Sequence, residues 1–597
     1  MTTVNQRVYD LARQVDRAPD DVLRYLRAIG EFTRSASSVV AEPVARRVVE
    51  HFGGLVPASS SERTGSPLSA PARQPITPAT TLSWQANPVK EPTNEEVVKR
   101  VQRLESTFPE FRKHRSMLQA LGSQFVYADV FVTTDGKHCG LALARFSGAI
   151  ESAFGLTREV PFFYAPYFDL QSRSFKLAKD KVAGLPREVT PDLIFFSSPD
   201  DRLTFKLNEW SKLQFTAIPL PTTLDAEPIA LIAQLRDHIY ARDLFYETTP
   251  VSGSKFFGRK TLMQELRDDI ANQRVSGLFG LRKSGKTSIL LQLAETLTSD
   301  NLIPVFIDLE TLPSPPIDPG PDFIREMASR VSVELEKRGM PYAELAEFQH
   351  VQAIPQFKAA LDSVVRRLEE RDITLVLLLD EIEFLTPSDQ IDTQEANFPG
   401  VAQALASLRA VAQSASNFTF LLSGLTNHIL ENGRLYGRPN PLFSWAKARY
   451  VGPFSRQEAN ELATATGARM GIEIQEGALG ALYDASGGHA YLYRNLASEV
   501  VATLPMDTYR RVLRTSDVLH QLNTWRRSVA GNIEEMLSHL ARYYPTEGVL
   551  LETLKDSPDD FVELARGEDR AVHHLASLGL IHEEAGRFTP SVLLELQ

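Results

Sequence analysis

Cysteine is almost missing from this chain: Cys139 is the single one in 597 residues. An intrachain disulfide is thereby impossible and a cysteine-rich zinc site is excluded. His138 beside it is too little to suggest a metal ligand, so Cys139 is expected to be a small core residue. Long apolar runs are lacking as well. The longest, such as 375–379, fall far below the roughly 18 to 20 residues that span a bilayer, and the first residues carry no apolar signal-peptide segment. A cytoplasmic protein with no membrane partner is expected. An excess of positive charge is the third absence, with 64 Lys and Arg against 75 Asp and Glu and a net charge of −11. That balance argues against indiscriminate coating of nucleic acid and leaves only a local basic face for such contact.

What is present is an ordinary globular composition, 43% apolar and 23% charged, with length for about three to five domains. Residues 280–287 read GLRKSGKT, fit G-x-x-x-x-G-K-[ST], and follow the short apolar run 275–279. Glycines in such a loop let backbone N–H groups turn inward around phosphates. Gly280, Leu281, Arg282, Lys283, Ser284, Gly285, Lys286, Thr287 and Ser288 are therefore the candidate cradle for the phosphates of a nucleotide. Lys286 reaches the β and γ oxygens in this reading, and the Thr287 hydroxyl ligates Mg²⁺. The pattern over 288–298 predicts a helix, which sets the nucleotide at a helix N-terminus.

A second apolar run, 373–379, ends in Asp380 and Glu381. Asp380 is the expected Mg²⁺ holder through water, and Glu381 the residue that orients or polarises the attacking water. Alone, such a pair is often just a helix cap; about ninety residues after a phosphate loop, the catalytic reading prevails. A third run, 418–422, leads through Ser423 to Asn427, the candidate γ-phosphate sensor, and 302–309 makes a fourth with Asp308 near its end. Four buried strands with helices between them predict a parallel sheet covered on both faces.

Upstream, 4–52 read as a small helical module with helices over 7–15 and 21–29, broken at Pro19 and Asp20 and ended by Gly30. Residues 53–94 are rich in Ser, Pro, Ala and Thr, with few large apolar residues beyond Leu55, Leu68, Ile76 and Leu82, and are expected to be a flexible linker. Globular patterning returns over 95–240. Helix-like 95–104 and 111–121 precede strand-like runs 125–132, 160–164, 192–197 and 215–220, which predicts an α/β sensor or adaptor domain, Rossmann-like or receiver-like. Asp129, Asp135, Asp192, Asp200 and Asp201 flank these runs, where acids usually serve as turns and caps.

Two resemblances add to this reading. Residues 4–40, through Arg7, Val8, Tyr9, Leu11, Ala12, Leu23, Leu26, Gly30 and 35–39, resemble the N-terminal domain of bacterial translation initiation factor two. That implies a docking module for a protein partner, or a plain helical cap, and no role in translation. The second covers 242 to the C-terminus. FFGRKTLMQEL (256–266), GLRKSGKTSIL, LLLDEIEFL, LLSGLTN, NPLF (440–443), GPFSRQEANEL and SGGHAYLYRNL (486–496) occur in this order, and in that order they resemble STAND and archaeal-type ATPases of the AAA-related group.

The second resemblance implies a multidomain α/β protein: P-loop NTPase core (241–455), helical lid (456–525) and winged helix (526–597), following the α/β domain and the helical module. It implies that Phe257, Gly258 and Arg259 lie near the adenine side, that Lys286, Thr287, Asp380 and Glu381 form the catalytic set with Asn427 as sensor, and that His489 of the lid comes near the nucleotide. Ala490 departs from the pattern, standing where many relatives have proline. Arg434 and Arg438 are either arginine fingers acting in trans or surface charge. The winged helix is either an intramolecular clamp or a DNA reader; Arg566, Arg570, His573 and His574 lie among Glu563, Glu568 and Asp569, a mixed sign that favours the clamp.

The expected function is an ATP-binding and ATP-hydrolysing switch in signalling or phage defence, closed with ADP and self-associating into a homo-oligomer with ATP. The alternative is a DNA-binding ATPase of replication-initiator type, with Arg566, Arg570 and Arg587 on the DNA. A degenerate scaffold is disfavoured because every motif position needed for hydrolysis is filled.

Overall fold

The computed structural model describes residues 95–211, 215–222, 227–298, 301–313, 317–346, 348, 354–386, 399–506, 510–584 and 587–596, and before them 6–7, 39–40, 42–52 and several positions within 12–26. It divides into two compact units, Met1–Ser83 and Trp84–Gln597. In the first, Gln6–Arg7 pairs antiparallel with Val39–Val40, and the helix Glu42–Phe52 supplies Val44, Ala45, Val48 and Val49 to a core shared with Ala12, Val15, Val22 and Leu26. Ala12, Gln14, Val22, Tyr25 and Leu26 are helical. The helix expected over 7–15 is corrected at both ends, since Arg7 pairs as a strand and Val15 is a turn; the other positions of the two expected helices, and the whole of the expected linker 53–94, lie outside the described residues.

The second unit opens with helices Glu95–Thr107 and Glu110–Ala120 and a five-stranded sheet: β1 (Gln124–Val132), β2 (His138–Arg145), β3 (Val160–Tyr164), β4 (Leu193–Ser198) and β5 (Thr216–Pro221), neighbours in that order. β1, β2 and β3 pair antiparallel, whereas β3, β4 and β5 are parallel and joined by helices. The α/β expectation stands, but the Rossmann-like or receiver-like form is corrected. Those folds have a parallel sheet whose strand order reverses at a switch point, and here the order runs sequentially from a hairpin. β2 escaped the sequence reading because CGLALA sets its two leucines among Gly and Ala, which have low strand propensity, and has no β-branched or aromatic residue. Cys139, on β2, is fully buried, as expected of a core residue. Asp200 accepts the backbone N–H groups of Leu170 and Arg202, at 2.7 and 2.8 Å, which is a turn-and-cap role.

The second sheet contains β6 (Ser276–Phe279), β7 (Leu302–Asp308), β8 (Thr374–Asp380), β9 (Phe418–Gly424) and β10 (Lys447–Tyr450). Its order is β10-β6-β9-β8-β7 and every pairing is parallel. Every residue of β8 after Thr374 and every residue of β9 is buried, which explains their near-continuous apolar sequences. Two apolar clusters line the two faces, one with Phe279, Leu377 and Phe420, the other with Leu278, Val376 and Leu421. This is a P-loop NTPase core. Helix α1 (Lys260–Ala271) precedes β6 and α2 (Lys286–Leu297) follows it.

The lid consists of α3 (Arg456–Arg469), α4 (Glu476–Ser486) and α5 (Ala490–Val501). Ser455 and Glu458 close a reciprocal capping box at the start of α3. The 29-residue α6 (Thr515–Tyr543) then runs unbroken across the expected border between lid and winged helix. Val518, Trp525, Val529, Ile533, Met536 and Leu540 recur at helical spacing along its buried side and belong to one apolar cluster holding both lid and winged-helix residues. The winged helix continues with α7 (Pro545–Asp556), α8 (Pro558–Ala565), α9 (Asp569–Ser577) and the antiparallel pair β11 (Ile581–Glu584) and β12 (Arg587–Pro590). Helix α8 was not anticipated, and the expected turn at Ala585 and Gly586 lies outside the described residues.

Candidate nucleotide-binding site

The phosphate loop leaves β6 with the Gly280 N–H donating to the Gly424 carbonyl at 3.2 Å, so loop and sensor strand are tied at their roots. Lys283 and Gly285 take left-handed backbone conformations, φ 61° and 102°; at Gly285 the absence of a Cβ makes the turn into α2 cheap. Lys286 is buried at the first turn of α2, its Nζ donating to the Gly280 and Leu281 carbonyls at 3.0 Å each. Those carbonyls hold the ammonium where a phosphate would replace them.

Asp380 ends β8 almost wholly buried, with the Thr287 and Ser423 hydroxyls beside its carboxylate. Burial pushes its pKa up. Glu381, at φ 55°, turns the chain immediately after it. Burial and then the neighbouring Glu383 carboxyl push the Glu381 pKa up to about 7. Glu383 is itself buried, and its Oε2 accepts the Leu425 N–H at 3.0 Å.

Four expected residues thus converge: Lys286, Thr287, Asp380 and Glu381. The polar inventory around them fits a nucleotide with its cation. Among the described residues Asp380 Oδ1, Ser423 Oγ and Ser284 Oγ are buried without a hydrogen-bond partner, and so are both ring nitrogens of His489. Buried polar atoms without a partner also occur elsewhere among the described residues, but these five surround a loop whose backbone geometry suits phosphate.

The lid reaches the loop through His489, the N-cap residue of α5, which faces the Arg282 peptide. Burial, with the Arg259 charge second, lowers its pKa to about 4, so it is neutral at pH 7. Phe257, Gly258 and Arg259 join core to lid. The Arg259 N–H donates to the Glu458 carboxylate, one guanidinium nitrogen donates to the Pro453 carbonyl at 3.1 Å, and the guanidinium lies 4.5 Å from the Phe454 ring centroid. Burial lowers the Arg259 pKa to about 10. Gly258 must be glycine twice over: its φ is 69°, and a Cβ there would fall 2.9 Å from Glu458 Oε1. Phe257 packs against the lid cluster.

Helix α6 crosses the mouth of the loop. Arg282 pairs with Glu535, and Lys283 Nζ donates to Asn532 Oδ1 at 2.5 Å while lying 4.4 Å from the Tyr491 ring centroid.

Asn427 is more fully engaged than its expected sensor role required. Its backbone N–H donates to the Tyr544 hydroxyl at 2.7 Å, and that hydroxyl donates back to Asn427 Oδ1 at 2.8 Å. The Asn427 amide donates to Glu431 at 2.8 Å and to the Tyr450 hydroxyl at 2.6 Å. Helix α9 closes over this group: Arg570 pairs with Glu431 at 3.2 Å, and the His574 ring lies 4.3 Å from that of Tyr544 while its Nδ1 bonds Glu547 at 2.9 Å. Tyr450, Tyr544 and Glu383 were not singled out from the sequence; their partners are distant along the chain. Arg434 and Arg438 sit exposed on a two-residue hairpin, where Arg434 donates to the Gly437 carbonyl at 3.0 Å, and neither is drawn into this cluster.

No protein-family model matches the chain. It is 49% identical over 53 residues to translation initiation factor IF-2 of Mycobacterium leprae, in strains Br4923 and TN alike, a stretch that is 9% of this chain. The chain spans 6% of the length of those curated relatives. Among solved structures it is similar to the Walker-type ATPase PABY2304 of Pyrococcus abyssi, with TM-score 0.44 and 16% identity over 59% of this chain and 99% of that one. It is also similar to the ORC2 protein of Aeropyrum pernix (TM-score 0.37, 13% identity, 60% and 96% covered) and to the RuvB Holliday junction branch migration motor of Thermotoga maritima (0.31, 14%, 57% and 95%). The strand order β10-β6-β9-β8-β7 around the phosphate loop, rather than these scores, carries the assignment to the P-loop NTPase fold.

Proposed function

We propose that this chain binds and slowly hydrolyses ATP with Mg²⁺ and works as a nucleotide-gated switch, seen here in its closed arrangement. The observation that carries the reading is the double hydrogen bond between Asn427 and Tyr544, which ties the candidate γ-phosphate sensor to the winged helix.

Thr287 and Asp380 are the residues to hold Mg²⁺, which when bound supplies charge neutralisation at the β and γ oxygens. Lys286 exchanges the Gly280 and Leu281 carbonyls for phosphate oxygens. Glu381 orients the attacking water, and the Asn427 amide N–H group, which donates to Glu431 and Tyr450, turns from them to the γ-phosphate and in doing so carries its Oδ1 off the Tyr544 hydroxyl. A ligand shifts a two-state equilibrium only by binding the states differently; a γ-phosphate competing for Asn427 supplies that difference, and ADP lacks it. Opening frees the winged helix, and self-association follows. Arg434 and Arg438, exposed on their hairpin, are then available to a second copy.

Binding of MgATP is expected to disappear in Lys286→Ala, and turnover but not binding in Glu381→Gln. Wild-type and Lys286→Ala chains with equal ATP affinity would refute the nucleotide reading.

The DNA-reading alternative is weakened by the burial of His574, which engages α9 internally, and by the pairing of the still exposed Arg570 with Glu431. Arg566 and Arg587 remain exposed. If they read DNA, binding appears at low salt and falls steeply as salt rises. The N-terminal module, on its match to part of IF-2, serves as a docking module for a protein partner; removal of 1–52 is then expected to leave ATP binding intact. Signalling or phage defence is the setting the STAND resemblance implies, and protection from phage that requires Lys286 is its test.

A further inference from the structure

Glu383 is a buried acid that no step above uses. It lies on the short helical turn Ile382–Leu385 that follows Glu381, yet its side chain turns back towards the sheet and its Oε2 accepts the Leu425 N–H at 3.0 Å. Leu425 is the first residue after β9, two before Asn427. The neighbouring Gly424 makes the approach possible: a Cβ there would fall 2.2 Å from Glu383 Oε2 and 2.8 Å from Ile382 Cγ2. Gly424 also accepts the Gly280 N–H at its carbonyl. One carboxylate therefore stands where the acid strand, the sensor strand and the root of the phosphate loop meet, with the Glu381 carboxyl as its charged neighbour.

We propose that Glu383 is a positioning residue for hydrolysis: through the Leu425 N–H, in the space left by Gly424, it fixes the sensor strand against the acid strand and so sets where Glu381 and Asn427 meet the γ-phosphate. This rests on the nucleotide reading above. A buried acid could be there only to satisfy one backbone N–H, but a water or a small hydroxyl side chain would do that. What a backbone donor cannot explain is the placement of the carboxyl between two strand ends that must hold their spacing to within about an ångström for chemistry at a shared phosphate.

The experiment is single-turnover hydrolysis of pre-bound ATP with Mg²⁺ by the full chain, with ATP affinity measured in each variant. Glu383→Ala and Gly424→Ala remove and displace the same carboxyl, and each is expected to slow hydrolysis about tenfold to a hundredfold, with ATP affinity changed less than about threefold. The double variant is expected to be no slower than either single one, as befits a shared interaction. Glu383→Gln, whose amide oxygen can still accept the Leu425 N–H, is expected to stay within about threefold of wild type. Thermal unfolding of each variant gives the folded fraction to which its rate is normalised. Wild-type rates in both alanine variants overturn the proposal and leave the nucleotide reading standing, and additive losses or a Gln variant as slow as Ala overturn it as well. Wild-type chain that binds no ATP overturns both together.

Discussion

The Tyr544 hydroxyl and Asn427 exchange two hydrogen bonds, one to the backbone N–H at 2.7 Å and one from the hydroxyl to the side-chain oxygen at 2.8 Å, across 117 residues of sequence. Both residues are buried. Leaving such a group without its partner costs about 1–3 kcal/mol. The phosphate loop is bridged to α6 by exposed contacts, a Lys283 hydrogen bond to Asn532 and the ion pair of Arg282 with Glu535, whose side chains are 42% and 55% exposed, and ion pairs of that kind contribute at most about 1 kcal/mol. The tyrosine, more than the ion pair, holds the closed arrangement.

Tyr544→Phe is therefore expected to release bound ADP about five times faster or more, since a loss of about 1–3 kcal/mol raises the open population by that factor at least. Glu535→Ala is expected to change the rate less than about fivefold. Stopped-flow release of a fluorescent ADP measures both, and equal effects from the two variants would reverse the ranking.

Asp192 predicts a mechanical link between the α/β domain and the lid. Its Oδ2 pairs with Arg242 and accepts from Arg469 Nη2 at 2.6 Å, and Arg242 is buried. Removal of one partner from a buried ion group costs about 3–5 kcal/mol, because charge is left uncompensated. Asp192→Asn is expected to lower the melting temperature and to make the α/β domain unfold separately, seen by calorimetry as two transitions. A single unshifted transition would show that the contact is dispensable.

The phosphate loop and acid pair were legible because each is a contiguous motif behind an apolar run, and their convergence in space followed. The lid and wing were legible through resemblance in motif order. Strand β10 was not, because KARY at 447–450 has none of the apolar character of a buried strand; its side chains are half-buried or exposed. Glu383 and Tyr544 were hidden for another reason. Their partners, Leu425 and Asn427, are distant in sequence, and nothing local distinguishes them from a surface acid or a core aromatic. The only trace of Glu383 was Gly424, whose missing side chain makes room for it.

His114 gives the pH prediction. Buried against Tyr164, with its Nδ1 3.0 Å from the hydroxyl, it has a pKa lowered to about 4 by burial and then by the Lys113 charge. A histidine depressed in the fold is neutral there while the unfolded chain binds its proton below about 6.5. Its contribution is thus intact above about pH 6.5 and is lost as the pH falls towards 4, up to roughly 3 kcal/mol. Chemical denaturation of wild type and His114→Asn between those pH values is expected to show a shallower acid loss in the variant. Parallel curves would exclude His114 as the source.

In the proposed switch the γ-phosphate opens the Asn427–Tyr544 link and allows copies of the chain to associate. Its most direct test is the solution mass of the full chain with ADP, with ATP, and with Glu381→Gln plus ATP. The lowest mass is expected with ADP and a stable multimer for Glu381→Gln with ATP; one and the same mass in all three would contradict γ-phosphate-driven association.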